Sequence, residues 1–143
     1  MEASLIVLGL VALVALYVVW IRVVAPRLVG IKQISLEEYR RDFKKKPHVL
    51  FDVRSQSEFN SGHISRAKHM PISVVSKMEK DAFESMVHDR AIVCICASGV
   101  RARSVAMDLA KKGVQSVYAV STGMNAWKAA GLPVRKGEAR GKA

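Results

Sequence analysis

An α/β domain with a small parallel sheet flanked by helices, preceded by one transmembrane helix, is the architecture this 143-residue sequence predicts. Three observations lead there. From residue 31 onward, short β-rich apolar runs alternate with helical patterns, an order that gives parallel strands covered on both faces. Two Ser-x-x-Glu capping boxes, Ser35 with Glu38 and Ser55 with Glu58, mark helix starts within that alternation. Ahead of it, Ser4 to Ile21 contains no charge and no proline.

The elements follow in order. About 18–20 helical residues reach roughly the 30 Å of a bilayer's hydrocarbon core, so Ser4 to Ile21 predicts a single-pass anchor. Tyr17 and Trp20 stand where aromatic rings favour the interface, and Arg22 and Arg27 follow. A cleaved signal peptide is the competing reading, but the flank before the run lacks a basic residue and no small-residue cleavage site follows. "APRLVGIKQIS" then serves as a linker into the domain. A helix is expected from Leu36 to Phe43, a buried strand over "HVLFDVR", and one or two helical turns after Ser55 that stop at Gly62. A short strand around Ala67 to Met70 closes at Pro71, and Ser73 to Met86 reads as helical. "AIVCIC" is the most apolar strand, followed by an amphipathic helix from Arg101 to Lys112 that Gly113 ends. "SVYAVS" gives a last strand and "GMNAWKAAG" a last helix, with Trp127 expected in the core. The chain thus divides into residues 1–30 (membrane helix and linker), 31–136 (the α/β domain) and 137–143 (a disordered basic tail).

The flanking charges orient the anchor. Glu2 precedes it and Arg22, Arg27 and Lys32 follow, so the N-terminus is expected outside and the domain in the cytoplasm. Two cysteines in a reducing compartment are then expected as free thiols. The formal charge of +11 falls almost wholly on the domain, with "RRDFKKK" (Arg40 to Lys46) its densest cluster. Such a surplus suits anionic lipid or anionic small substrates. Aromatic and basic residues do not interleave as a base-stacking groove requires, so no nucleic acid is expected. The histidines stand at no metal-ligand spacing from the cysteines, and nothing in the pattern sets an oligomeric state.

The chemistry concentrates in "CASGVRARS", Cys96 to Ser104. A loop that follows a buried strand and opens a helix lies at the carboxyl edge of the sheet, where α/β domains bind ligands. Ala97, Ser98 and Gly99 are small enough for the backbone to curl round the Cys96 sulfur with its N–H groups inward. A thiol held there is expected as the thiolate, the nucleophilic form. Arg101 and Arg103 add positive charge for an anionic substrate.

These residues resemble those of the rhodanese domain. "FDVRSQSEFNSGHISRAKHMP" is similar to that family's first signature, "CASGVRARS" to its active loop (C-x-x-G-x-R before a helix), and "STGMNAWKAAGLPV" to its closing motif. Together they cover Ile31 to Arg135. The resemblance implies a sulfurtransferase in which Cys96 takes the outer sulfur of thiosulfate, or a similar small anionic donor, as a persulfide. A thiol, a protein acceptor or cyanide then removes it, with no metal or organic cofactor. Cys96 is the catalytic residue on this reading. Ala97, Ser98, Gly99, Val100, Arg101 and Ala102 form the active loop, and Arg103 is a further substrate contact. Asp52, Arg54, Glu58 and His63 belong to the structural signature, as ion-pairing, capping and hydrogen-bonding residues. Two departures stand out: serine follows the arginine only at Ser104, and Thr122-Gly123 replaces a Gly-Gly turn.

Two other functions compete. Cysteine phosphatases and arsenate reductases carry arginine six residues after the cysteine; here Ala102 fills that place, between Arg101 and Arg103. A non-catalytic docking or redox-sensing module at the membrane is the second; such domains usually have the cysteine replaced, and this loop retains Cys96. Cys94, two residues before Cys96, reads as a buried strand residue, with a resolving role as its alternative.

Overall fold

A computed structural model describes residues 2–20 and 31–137 of the chain. Two units separate, one ending at Gly30 and one beginning at Ile31.

In the first unit, helix α1 spans Glu2–Val19. Its 18 residues amount to about 27 Å at 1.5 Å per residue, starting from a charged Glu2, against about 30 Å of hydrocarbon. Among the described residues no helix is long and apolar enough to cross a membrane. The expected transmembrane anchor, with the N-terminus outside and a cytoplasmic domain behind it, is corrected on this finding. The linker with Arg22 and Arg27 and the tail beyond Gly137 lie outside the described residues.

The second unit runs β1 (Lys32–Ile34), α2 (Leu36–Asp42), β2 (His48–Asp52), α3 (Gln56–Ser61), β3 (Lys68–His69), α4 (Ile72–Val75), α5 (Lys80–Val87), β4 (Ala91–Ile95), α6 (Val100–Lys111), β5 (Val117–Val120) and α7 (Gly123–Ala129). The five strands form one sheet in the order β1-β5-β4-β2-β3, and every pair is parallel. Alternation along the strands divides the core in two. Val49, Phe51, Ile92 and Cys94 face α4, α5 and α6, whereas Leu50, Val93, Ile95 and Val120 face α2, α3 and α7. Trp127 packs in the second cluster and donates its indole N–H to the Pro133 carbonyl at 3.0 Å.

Both capping boxes form. Ser35 and Ser55 each accept from the backbone of the glutamate three residues on, and that glutamate accepts from the serine's own N–H. Two elements differ from expectation. Strand β1 replaces part of the expected linker, because its three residues are too few to show a period and are recruited by pairing with Tyr118–Val120 at the sheet edge. The expected helix from Ser73 to Met86 breaks into α4 and α5. The Lys112 ammonium, from the end of α6, donates to the carbonyls of Val75, Ser76 and Met78 and so satisfies the groups that a continuing helix would have used.

Candidate active site

Cys96 follows the last residue of β4 and is 1% exposed, so its sulfur is reached only by a group that enters the loop. The Gly99 N–H donates to Cys96 Sγ at 3.1 Å. What shapes the loop comes from elsewhere in the chain. The N–H groups of Met124 and Asn125, in the first turn of α7, donate to the carbonyls of Cys96 (2.7 Å) and Ala97 (3.0 Å). In a trans peptide the N–H points opposite to the C=O. Holding these two carbonyls outward therefore turns the N–H groups of Ala97 and Ser98 the other way, to the inside of the loop.

Glycine is required at two positions for this approach. Gly99 lies at φ +94, and a Cβ there would stand 2.1 Å from the Ser121 carbonyl oxygen. Gly123 lies at φ +59, and its Cβ would stand 2.4 Å from the Cys96 carbonyl oxygen. The loop and the β5–α7 turn are thus packed backbone against backbone. Ser121 is fixed in turn by its N–H to the Ile34 carbonyl at 2.9 Å, which ties the turn to β1.

Asp52 and Arg54 form a buried pair at the carboxyl end of β2: Arg54 Nε donates to Oδ1 at 2.9 Å and its Nη2 to Oδ2 at 2.6 Å. The same guanidinium donates to the Gly62 carbonyl at 2.8 Å, closing the end of α3. His63 is buried, stacks on Phe59 at 3.8 Å between centroids, and bonds through Nδ1 to the Phe59 carbonyl at 3.0 Å. Its ring therefore faces α3 rather than the sulfur.

Arg101 is engaged in a bidentate pair with Glu58, 2.8 and 2.7 Å long, that links the active-loop helix to α3. The Arg101 guanidinium holds the Glu58 carboxyl well below the usual carboxylate range. What this pair contributes is present above that range and is lost only as pH falls through the depressed value, so it is intact at neutral pH. Ala102 is buried, and Ser98, Val100 and Arg103 are exposed beside the loop. Replacing Glu58 by Gln keeps the cap but releases the Arg101 fork. The expected result is about a tenfold loss of kcat/KM for an anionic sulfur donor, with a stability change of about 1 kcal/mol or less, read from steady-state kinetics and a thermal melt.

Cys94 shares the α6-facing core with Cys96 and is fully buried. Burial pushes its thiol up, and the neighbouring Cys96 adds to that. Both cysteines are free thiols. The Glu58–Arg101 pair and the supporting turn at Ser121 to Asn125 are what reading from the sequence missed. The pair spans 43 residues with no local signal, whereas the Ser-Thr-Gly ahead of α7 was a visible turn with no role attached.

Comparison with known proteins gives the family. The rhodanese-like domain family matches residues 35–130. The thiosulfate sulfurtransferase GlpE of Coxiella burnetii is 31% identical over 98 residues, 68% of this chain and 88% of the relative. The uncharacterized protein YqhL of Bacillus subtilis is 30% identical over 125 residues, 87% of this chain and 93% of the relative. Among solved structures, the human single-domain sulfurtransferase TSTD1 is 26% identical, with a TM-score of 0.56 over 70% of this chain and 97% of that one. A parallel five-stranded sheet with a cysteine loop at its carboxyl edge, matched over two thirds of the sequence, makes this chain a member of the rhodanese-like family.

Proposed function

We propose that this protein is a sulfurtransferase that carries a sulfane sulfur on Cys96, and that residues 31–136 are the unit that does so. The observation that carries this reading is the cradle itself: a Gly99 N–H on the sulfur at 3.1 Å, and two loop carbonyls tied outward. The Cys96 thiolate attacks the outer sulfur of thiosulfate, the S–S bond of thiosulfate breaks, and sulfite leaves with the bonding pair. The new terminal sulfur bears negative charge, which the inward amides of the loop stabilise. A thiolate or cyanide then attacks that terminal sulfur, the S–S bond to Cys96 breaks, and the enzyme thiolate returns. One activated nucleophile so divides the transfer into two displacements.

The name of the Coxiella relative supports thiosulfate as a donor. Arg101 weighs against a phosphatase reading. Its fork already grips a carboxylate, and the position a phosphate-binding arginine would occupy holds the buried Ala102. The test is intact-mass measurement of the full chain after incubation with thiosulfate. A gain of one sulfur atom, discharged by cyanide with release of thiocyanate, is expected. An unchanged mass alongside hydrolysis of an aryl phosphate overturns the proposal.

A further inference from the structure

The densest charge on the domain sits far from Cys96 and serves no part of the chemistry above. Between α2, the turn before β2 and the segment after α3 lies an open groove of about 860 Å³. Arg40, Lys44, Lys45, Lys46 and Arg66 line it, Arg66 coming from beyond α3 in the sequence. All five are exposed, and none has an acidic partner among the described residues; Arg41 alone in this group is paired, with Asp42. Arg66 holds a left-handed backbone, φ +71, that non-glycine residues adopt at a cost. A single acid, Glu37, lines the groove.

The floor is rigid. The His48 Nδ1–H donates to the Lys46 carbonyl at 2.9 Å and its Nε2 is hydrogen-bonded to the Tyr39 hydroxyl at 3.1 Å, so the lysine turn is fixed to the start of β2. Tyr39 and Phe43 are buried, which leaves no free ring face there for base stacking. Pro47, Leu50 and Trp127 add apolar surface to its lining. Positive side chains strung along an open trough suit a chain of carboxylates better than one compact phosphate, which is held by converging N–H groups. A second copy of this protein, itself strongly basic, is repelled.

We propose that this groove docks an acidic, extended segment of a partner protein. Because all strands run parallel, the groove at the start of β2 and the Cys96 loop past the end of β4 lie at opposite edges of the sheet. Five residues of strand separate those edges, about 17 Å. The partner is therefore held while the sulfur site stays open.

The experiment uses the full chain and a fluorescein-labelled dodeca-glutamate peptide, with binding read by fluorescence anisotropy at physiological salt. Converting Lys44, Lys45 and Lys46 together to Glu is expected to weaken binding about tenfold or more, and Arg66→Glu alone about threefold. Converting Lys77, Lys111 and Lys136 to Glu makes the same change in net charge elsewhere and is expected to leave affinity within about twofold. Thermal melts establish that each variant is folded. Saturating peptide is expected to leave the rate of Cys96 alkylation by iodoacetamide unchanged. Equal losses in the two triple variants, slower alkylation, or tighter binding of tripolyphosphate or a single-stranded oligonucleotide than of the peptide each overturn the proposal.

Discussion

Replacing Cys96 by serine is expected to lower sulfur transfer from thiosulfate to cyanide about 10⁴-fold or more while leaving the melting temperature nearly unchanged. The two side chains differ by one atom, and the 1% exposure of Cys96 leaves serine little freedom to rearrange. Its hydroxyl keeps the Gly99 N–H as a partner but remains protonated at neutral pH, and it forms no stable bond to a sulfane sulfur. Cys94→Ala gives the opposite result. That side chain is fully buried with its thiol pushed up by burial. The variant is expected to lose about 1–2 kcal/mol of stability to the cavity and little turnover per folded molecule. Parallel melts and thiocyanate assays separate the two. Comparable loss of turnover in both variants contradicts the assignment of Cys96 alone.

The second large effect is expected from Gly99→Ala. A methyl group there meets the Ser121 carbonyl oxygen at 2.1 Å, far inside contact distance, on a backbone at φ +94. Left-handed strain adds about 1–2 kcal/mol and the forced displacement about 1–3 kcal/mol more. A fall of about 10–20 °C in melting temperature follows for a domain of this size. Because either the loop or the β5–α7 turn must move, the Gly99 N–H leaves the sulfur, and transfer drops about a hundredfold. Gly131→Ala is the control. It has a similar positive φ of +65 but nothing within 4 Å of the added Cβ. It is expected to cost about 1 kcal/mol and no activity. If Gly131→Ala costs as much as Gly99→Ala, backbone strain rather than the close approach to Ser121 accounts for the loss.

How far the sequence reveals these features depends on the reach of each signal. Ser35 with Glu38 and Ser55 with Glu58 are three residues apart, and both capping boxes were readable because the physics that forms them is equally local. "AIVCIC" was legible as a strand because burial on both faces demands a continuous apolar run. β1 was not, since three residues with one buried side chain carry no period. The break between α4 and α5 was hidden because its cause, the Lys112 ammonium, lies more than 30 residues away. At the candidate site, the loop composition of Cys96 to Gly99 was readable. The carbonyl anchors from Met124 and Asn125 were not, because backbone donors have no residue-type signature. The N-terminal run reads as a span from hydropathy alone, whereas among the described residues no helix is long and apolar enough to cross a membrane.

The strand order carries a kinetic consequence. β1, the first strand of the domain, has β5, the last, as its one sheet neighbour among the described residues, with Lys32 opposite Tyr118. Parallel neighbours cannot be joined by a tight hairpin, so every pairing here closes a long loop before any contact rewards it. Such a fold acquires its contacts late and slowly compared with a helical bundle of equal length. On the ribosome the first strand must wait, unpaired, until Val117–Val120 has emerged. β1 is only three residues long and two of its side chains are exposed, one of them Lys32. A brief, charged edge offers a passing chain little to pair with during that wait.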